Sequence, residues 1–201
     1  MTKDHTQTIK YLTPEEIKQL FNKISDDRDR TIFYLMYLYG LRCSEVVRLT
    51  LQDLRLNDDR IFIKASKNGI SRENVLDKTA KKLLITYLKG REAIIKNSKV
   101  ISDSDILFLS GKLGNLSTIQ IWRLYRQYAT KAKLPEDKRH PHALRHSIAV
   151  HMADSGVPVE RVKDHLRHRK IDSTMVYFQI TNKKMLENQA EDLGGQFVVK
   201  I

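Results

Sequence analysis

The residues best placed to do chemistry lie in one stretch, His140-Pro141-His142-Ala143-Leu144-Arg145-His146. Spacing of three puts His142 and Arg145 on one face of a helix. Near the start of such a helix, free backbone N–H groups and the helix dipole favour an anion. A histidine and an arginine aimed together at a helix start are therefore a phosphate site in outline. The plainer reading pairs Arg145 with a carboxylate and makes His142 a cap. Arg42, in Tyr39-Gly40-Leu41-Arg42-Cys43-Ser44-Glu45, follows an apolar stretch and a glycine turn. An arginine in such surroundings needs a partner. Glu45, three residues on, is the local one, and an anion is the functional one. His142 and His146 also have the i, i+4 spacing of a zinc helix. The glutamate that a zinc protease helix needs after the first histidine is replaced by Ala143, and no cysteine cluster accompanies it.

Elements that could position these residues follow from periodicity and caps. Thr13-Pro14-Glu15-Glu16 is a helix start with a capping box, continued by Ile17, Leu20, Phe21 and Ile24. Asp29 to Tyr39 reads as a buried helix that stops at Gly40, and a short helix begins at Ser44. The period then shortens. Residues 60–65 and 73–76 read as strands around a turn, 66–72, that carries Lys67. A lysine on such a turn is ordinarily only solvated. Helices resume at Lys78. A short apolar run, 106–109, reads as a strand. Further helices follow over 119–128 and 142–155, the latter ended by Gly156. Another runs from Pro158 to about His168, and two short ones span 173–179 and 183–192. Tyr177, in the first of these two, lies nine residues after His168. The fold class is mainly α with a small antiparallel β-hairpin or sheet.

The chain has 201 residues, 41% hydrophobic and 30% charged, which is enough to build a core under a charged surface. No run approaches the roughly 20 apolar residues of a membrane span. The first residues lack the apolar segment of a signal peptide. Lysine and arginine number 36 against 24 acidic residues, a net charge of +12 that favours a polyanionic partner. Cys43 is the single cysteine, so no internal disulfide forms.

Taken in order, Arg42 in GLRCSE, Lys67 and Arg72 on the hairpin, His142-x-x-Arg145, His168 in Leu166-Arg167-His168, and Tyr177 form a series. It resembles the catalytic domain of the tyrosine recombinases, the phage-integrase family. The resemblance runs from about Leu12 to Leu193. It implies a flexible arm over 1–11, a catalytic domain over 12–195 with the DNA breaking–rejoining fold, and a tail over 196–201. The β-prone tail could pack on a neighbouring copy. Only some eleven residues precede the first helix. The resemblance therefore implies either an excised catalytic domain or a short single-domain member, similar in length to the bacterial fimbrial-switch invertases. The family usually has Leu-Gly-His where this chain has Leu166-Arg167-His168. Arg167 there needs a backbone conformation acceptable to a residue with a Cβ, or else it adds a DNA contact.

The implied activity is site-specific recombination of double-stranded DNA by a metal-independent strand transferase, as in mobile elements. The tyrosine hydroxyl attacks phosphorus, forms a 3′-phosphotyrosyl link and expels a 5′-hydroxyl. The bond energy is retained, so no cofactor is implied. A free tyrosine has a pKa of about 10, leaving roughly 0.1% phenolate at pH 7, a deficit of ~4 kcal/mol. In the implied roles, Arg42 and Arg145 hold the nonbridging oxygens. His142 accepts the tyrosine proton or donates to the phosphate, and His168 donates to it. Lys67 protonates the leaving oxygen, with Lys64 nearby as the alternative. The resemblance further implies a homotetramer on paired sites, a monomer or dimer without DNA, no membrane partner, and a cytoplasmic, nucleoid-associated location. The rivals are a topoisomerase IB-like nicking–closing enzyme and a non-catalytic, sequence-specific DNA-binding regulator.

Overall fold

Helix α1 (Pro14–Phe21) starts where its caps require. Thr13 Oγ1 accepts from the Glu16 amide at 3.2 Å, and Glu16 Oε2 accepts from the Thr13 amide at 2.8 Å. The reciprocal bonds satisfy two otherwise orphaned donors. The computed structural model describes residues 9–65, 69–97, 105–111 and 113–196, without the side chains of 187–196. In the segment read from sequence as an arm, Ile9 and Tyr11 pack against the smaller of two apolar clusters, and Leu12 is buried.

Helix α2 (Asp27–Leu38) is enclosed nearly all round, as its composition predicts. Ile32, Phe33, Leu35 and Met36 are buried. Its buried Asp29 is compensated by Arg28 at 2.7 Å and the Tyr128 hydroxyl at 2.9 Å. The chain leaves α2 through Gly40, whose φ is +57°. A Cβ there would come within 2.8 Å of Leu166 Cδ2, so the turn needs glycine both for its dihedral and for this close approach. Helix α3 (Cys43–Val46) follows at once, with Arg42 as its N-cap residue.

Strands β1 (Leu54–Arg55), β2 (Arg60–Ile63) and β3 (Arg72–Val75) form an antiparallel sheet in that order. Register pairs Arg60 with Val75 and Ile63 with Arg72. Alternation along β2 buries Ile61 and Ile63 and turns Phe62 outward. Strand β1 was not legible in the sequence, because two residues carry no period. The run 106–109 makes only isolated bridges, Thr50 to Ile106 and Leu109 to Asn115, in place of the expected strand.

Helices α4 (Lys78–Asn97) and α5 (Thr118–Lys131) complete the larger core. Helix α6 (His142–Asp154) packs on α2, on α7 (Val159–Leu166) and on α8 (Asp172–Gln196). Helix α8 is one continuous helix where the sequence suggested two. Thr181 sits in the expected gap. Its hydroxyl donates to Asp154 Oδ1 at 2.6 Å and to the Tyr177 carbonyl at 3.3 Å, so this buried residue anchors the helix to the end of α6. The tail 197–201 and most of the arm lie outside the described residues. No helix among the described residues is long and apolar enough to cross a membrane.

Candidate active site

Four elements converge near the start of α6. They are the α2–α3 turn with Arg42 and Glu45, α6 itself with His142, Arg145 and His146, the end of α7 with Arg167 and His168, and α8 with Tyr177. Arg145 is buried at 2% exposure. One terminal nitrogen donates to the Gly40 carbonyl, and the other donates to the Leu166 carbonyl at 2.6 Å. Its expected carboxylate partner is thus replaced by two backbone oxygens. Burial and the neighbouring Arg42 and Arg167 lower its pKa, yet a guanidinium stays protonated at neutral pH.

Arg42 is held by Glu45 in two ways. The Arg42 amide donates to Oε2 at 2.9 Å, and Nη1 reaches Oε1 at 3.2 Å. Glu45 is buried. Burial tends to raise its pKa, but Arg167 and the other arginines overcome that and hold it below the usual carboxylate range. Arg42 and Arg167 pair with this one carboxylate and Arg145 lies within its field, so among the described residues three guanidinium groups gather around one carboxylate in a mostly buried setting. Such an excess is costly without an anion.

The backbone at Arg167 is not the one acceptable to a Cβ that the sequence called for, because the residue closes the end of α7. It is 2% exposed and lies in the left-handed region, φ 59° and ψ 37°. The backbone bonds Arg167 N to Asp164 O and His168 N to Lys163 O, both 3.0 Å, form the helix end that glycine normally closes. The glycine expected from the family pattern would fit this conformation without strain, whereas a residue with a Cβ pays about 1 kcal/mol.

Tyr177 is 4% exposed, and its hydroxyl lies 3.0 Å from His146 Nδ1. His146 in turn stacks edge-on against His142, with ring centroids 5.6 Å apart. Burial raises the Tyr177 pKa, while Arg145 and Arg42 pull it back. Burial, followed by neighbouring histidines and Arg145, lowers His146 to about 3. Burial, then Arg145 and Arg42, lowers His168 to about 4. His142 is also lowered, first by burial. The free site thus holds neutral imidazoles beside unbalanced cations. His168 Nδ1 is oriented by the buried Thr174 hydroxyl at 2.9 Å.

Arg42, His142, Arg145, His168 and Tyr177 are therefore brought together. Arg42 and Arg145 act electrostatically on His142, His168 and Tyr177 alike. Lys67 lies outside the described residues. Lys64 is occupied, with its ammonium 3.0 Å from the buried Asp53. Arg72 pairs across the surface with Asp164 of α7 at 3.5 Å. Sequence reasoning weighed His146 only as a zinc ligand. The signal that could have found it is its position next to Arg145, one turn beyond His142. His151 and His165 serve the fold, bonded to Leu12 O at 2.9 Å and Leu38 O at 2.8 Å. Among the described residues, no three histidine, cysteine or acidic side chains form a metal-binding group.

Comparison with known proteins agrees with this geometry. The chain is 32% identical over 196 residues to the tyrosine recombinase XerA of Pyrococcus furiosus, covering 92% of this chain and 64% of that protein. It is 31% identical over 172 residues to the type 1 fimbriae regulatory protein FimE of Escherichia coli K12, covering 84% of each. The crystal structure of a XerA recombinase superposes with a TM-score of 0.77 at 26% identity, covering 90% of this chain and 64% of that one. The chain thus spans under two thirds of the XerA length but most of FimE. The family model described as Phage integrase family matches residues 10–184, a range that contains every residue of the site built above, and the chain belongs to that family.

Proposed function

We propose that this chain is a DNA strand transferase that performs site-specific recombination through a covalent tyrosine intermediate. The observation that carries the reading is the buried Tyr177 hydroxyl on His146 Nδ1, within the field of Arg42 and Arg145. In the forward step Tyr177 Oη forms a bond to a backbone phosphorus and the bond from phosphorus to the 5′-oxygen breaks. The phenolic proton passes to an imidazole. His146 holds it in the resting geometry, with His142 adjacent. Lys67, between β2 and β3 in sequence, returns a proton to the departing 5′-oxygen. The second strand's 5′-hydroxyl reverses the step, so no energy source is needed.

The unbalanced charge suits this chemistry. A phosphodiester carries one negative charge and its five-coordinate transition state carries two, so the field of Arg42, Arg145 and Arg167 grows in value as the reaction proceeds. An arriving anion also raises the depressed histidine pKa values, which makes an imidazole a better proton acceptor when substrate is bound.

The partner is duplex DNA, and recombination would use a homotetramer on paired sites in the cytoplasm, where the nucleoid lies. On α5, the exposed Trp122 carries Arg126 over its ring at 5.2 Å, beside Arg123 and Lys131, a basic and aromatic surface suited to phosphate contacts. Binding should weaken steeply with salt, by a slope of about −0.9 in log K for each phosphate neutralised. The test is incubation with a pool of nicked duplexes of randomised sequence, in chelator. A covalent protein–DNA adduct stable in denaturing gel is expected. Its absence, or its appearance only after zinc is added, contradicts the reading.

A further inference from the structure

We infer that Arg167 is a positioning residue for strand transfer, a third arginine that fixes both anion-holding arginines from behind. Its guanidinium touches the acceptors that Arg42 and Arg145 depend on. Nη2 lies 3.1 Å from Glu45 Oε2, the oxygen that receives the Arg42 amide, which leaves Oε1 for Arg42 Nη1. The same Nη2 reaches the Gly40 carbonyl at 3.3 Å, the oxygen that also accepts from Arg145. Nη1 donates to the carbonyls of Tyr39 and His165, both at 3.0 Å. One side chain thus ties the exit of α2 to the end of α7, and Arg145 spans the same two segments through Gly40 and Leu166.

Fold stability alone does not account for an arginine here. The position is left-handed and closes a helix, which favours glycine. The Arg167 Nε–H is buried without a hydrogen-bond partner among the described residues. Local rules broken at a buried position mark function more often than error. The terminal nitrogens face protein acceptors, and at 2% exposure the side chain is closed to DNA. Arg167 therefore acts through Glu45 and Gly40, and through a positive charge that strengthens the field on the phosphate. Its position directly before His168 also makes it one of the cations that hold that imidazole neutral.

The inference rests on the strand-transfer reading, and the wild-type chain is the control that separates the two. Adduct formation is followed in a single turnover with saturating nicked DNA, alongside DNA affinity and thermal unfolding. Arg167→Gly relieves the backbone and removes the ties. It should slow cleavage roughly 10- to 100-fold, the usual range for a residue that orients a ligating side chain. Affinity should stay within about twofold, because Arg167 does not reach the DNA. In an Arg42→Lys background, whose guanidinium fork is already lost, Arg167→Gly should cost at most about threefold more. This non-additivity separates positioning from loosening of the fold. Arg167→Lys, which keeps the charge but not the fork, should recover part of the rate, and it serves in the same cycle if the glycine variant fails to fold. Wild-type rate in the folded glycine variant, or in the lysine variant should glycine not fold, overturns the inference. So does an equal loss in both backgrounds. If the wild-type chain itself forms no adduct, the strand-transfer reading fails and this inference with it.

Discussion

The three-stranded sheet and the α2–α3–α6–α7 junction are both rich in cations, and they use them in opposite ways. At the sheet, each cation that forms an ion pair has a carboxylate near it. Arg55 and Arg60 face Glu73, Lys64 faces Asp53, Arg72 faces Asp164 and Lys81 faces Asp59. Most of these groups are solvated, so each pair is worth little. At the junction Arg42 and Arg167 pair with Glu45, while Arg145 and Arg167 are bonded mainly to backbone carbonyls. Uncancelled positive charge held rigidly out of water is poor for stability and good for gripping an anion whose charge grows during reaction. Counting cations would rank the two regions alike. Counting their partners separates them.

The sharpest way to break the contrast is Tyr177→Phe. It should abolish the covalent adduct and leave DNA affinity nearly unchanged, since affinity comes from phosphate contacts elsewhere. Adduct formation by this variant at the normal rate would place the nucleophile outside the junction.

Lys67→Ala ranks next, with an expected loss of ~10²–10⁴ in cleavage rate on ordinary DNA. Replacing the scissile 5′-bridging oxygen by sulfur should largely rescue it, because a thiolate leaves without a proton near its pKa of ~8.5. Arg145→Ala should not be rescued, since its task is the nonbridging oxygens. Equal slowness of Lys67→Ala on both substrates removes Lys67 from the acid role. Lys64 is then a poor substitute, because Asp53 holds its ammonium.

His146→Gln keeps a hydrogen-bond partner for Tyr177 but cannot take its proton. Cleavage should fall by at least about tenfold, the low side of general-base effects because His142 is adjacent. The same variant tests the histidine field through stability. His146 titrates at about 3 and His168 at about 4 in the fold, against ~6.5 unfolded. Between those values the unfolded chain binds protons that the fold refuses. Stability is therefore full above pH ~6.5 and is lost progressively as pH falls toward 4 and 3. His146→Gln should flatten that acid slope in thermal unfolding at pH 4 to 7. An unchanged slope shows that His146 is not among the groups refusing a proton.

The smallest effect belongs to the sheet. Arg72→Ala removes an exposed pair with Asp164 and should cost under about 1 kcal/mol in denaturant unfolding, with cleavage unchanged. A cleavage loss comparable to Lys67→Ala would mean that the sheet's cations are not merely structural.

Much of this is legible in the amino-acid sequence. The capping box at Thr13, the glycine stop at Gly40, the hairpin and the α6 boundaries all rest on local chemistry, which short windows display. The site series Arg42, His142, Arg145, His168 and Tyr177 was legible through its order. What stayed hidden depended on contacts distant in sequence. Within the continuous α8, Thr181 reaches Asp154, 27 residues back, a contact no local window displays. The contact of His146 emerges only when α8 brings Tyr177 back over α6, 31 residues later. At Arg167 the sequence called for a backbone acceptable to a residue with a Cβ, but the helix end imposes a left-handed one, and the side chain reaches Glu45, 122 residues away.

The central claim is that one particular hydroxyl, held at this junction, takes up the DNA. Eight tyrosines are present, and several others are buried with raised pKa values. Proteolysis of the trapped adduct followed by mass spectrometry of the nucleotide-bearing peptide tests the claim most directly. The nucleotide should sit on the peptide containing Tyr177 and on no other. A nucleotide on any other tyrosine, or on a serine, would contradict it.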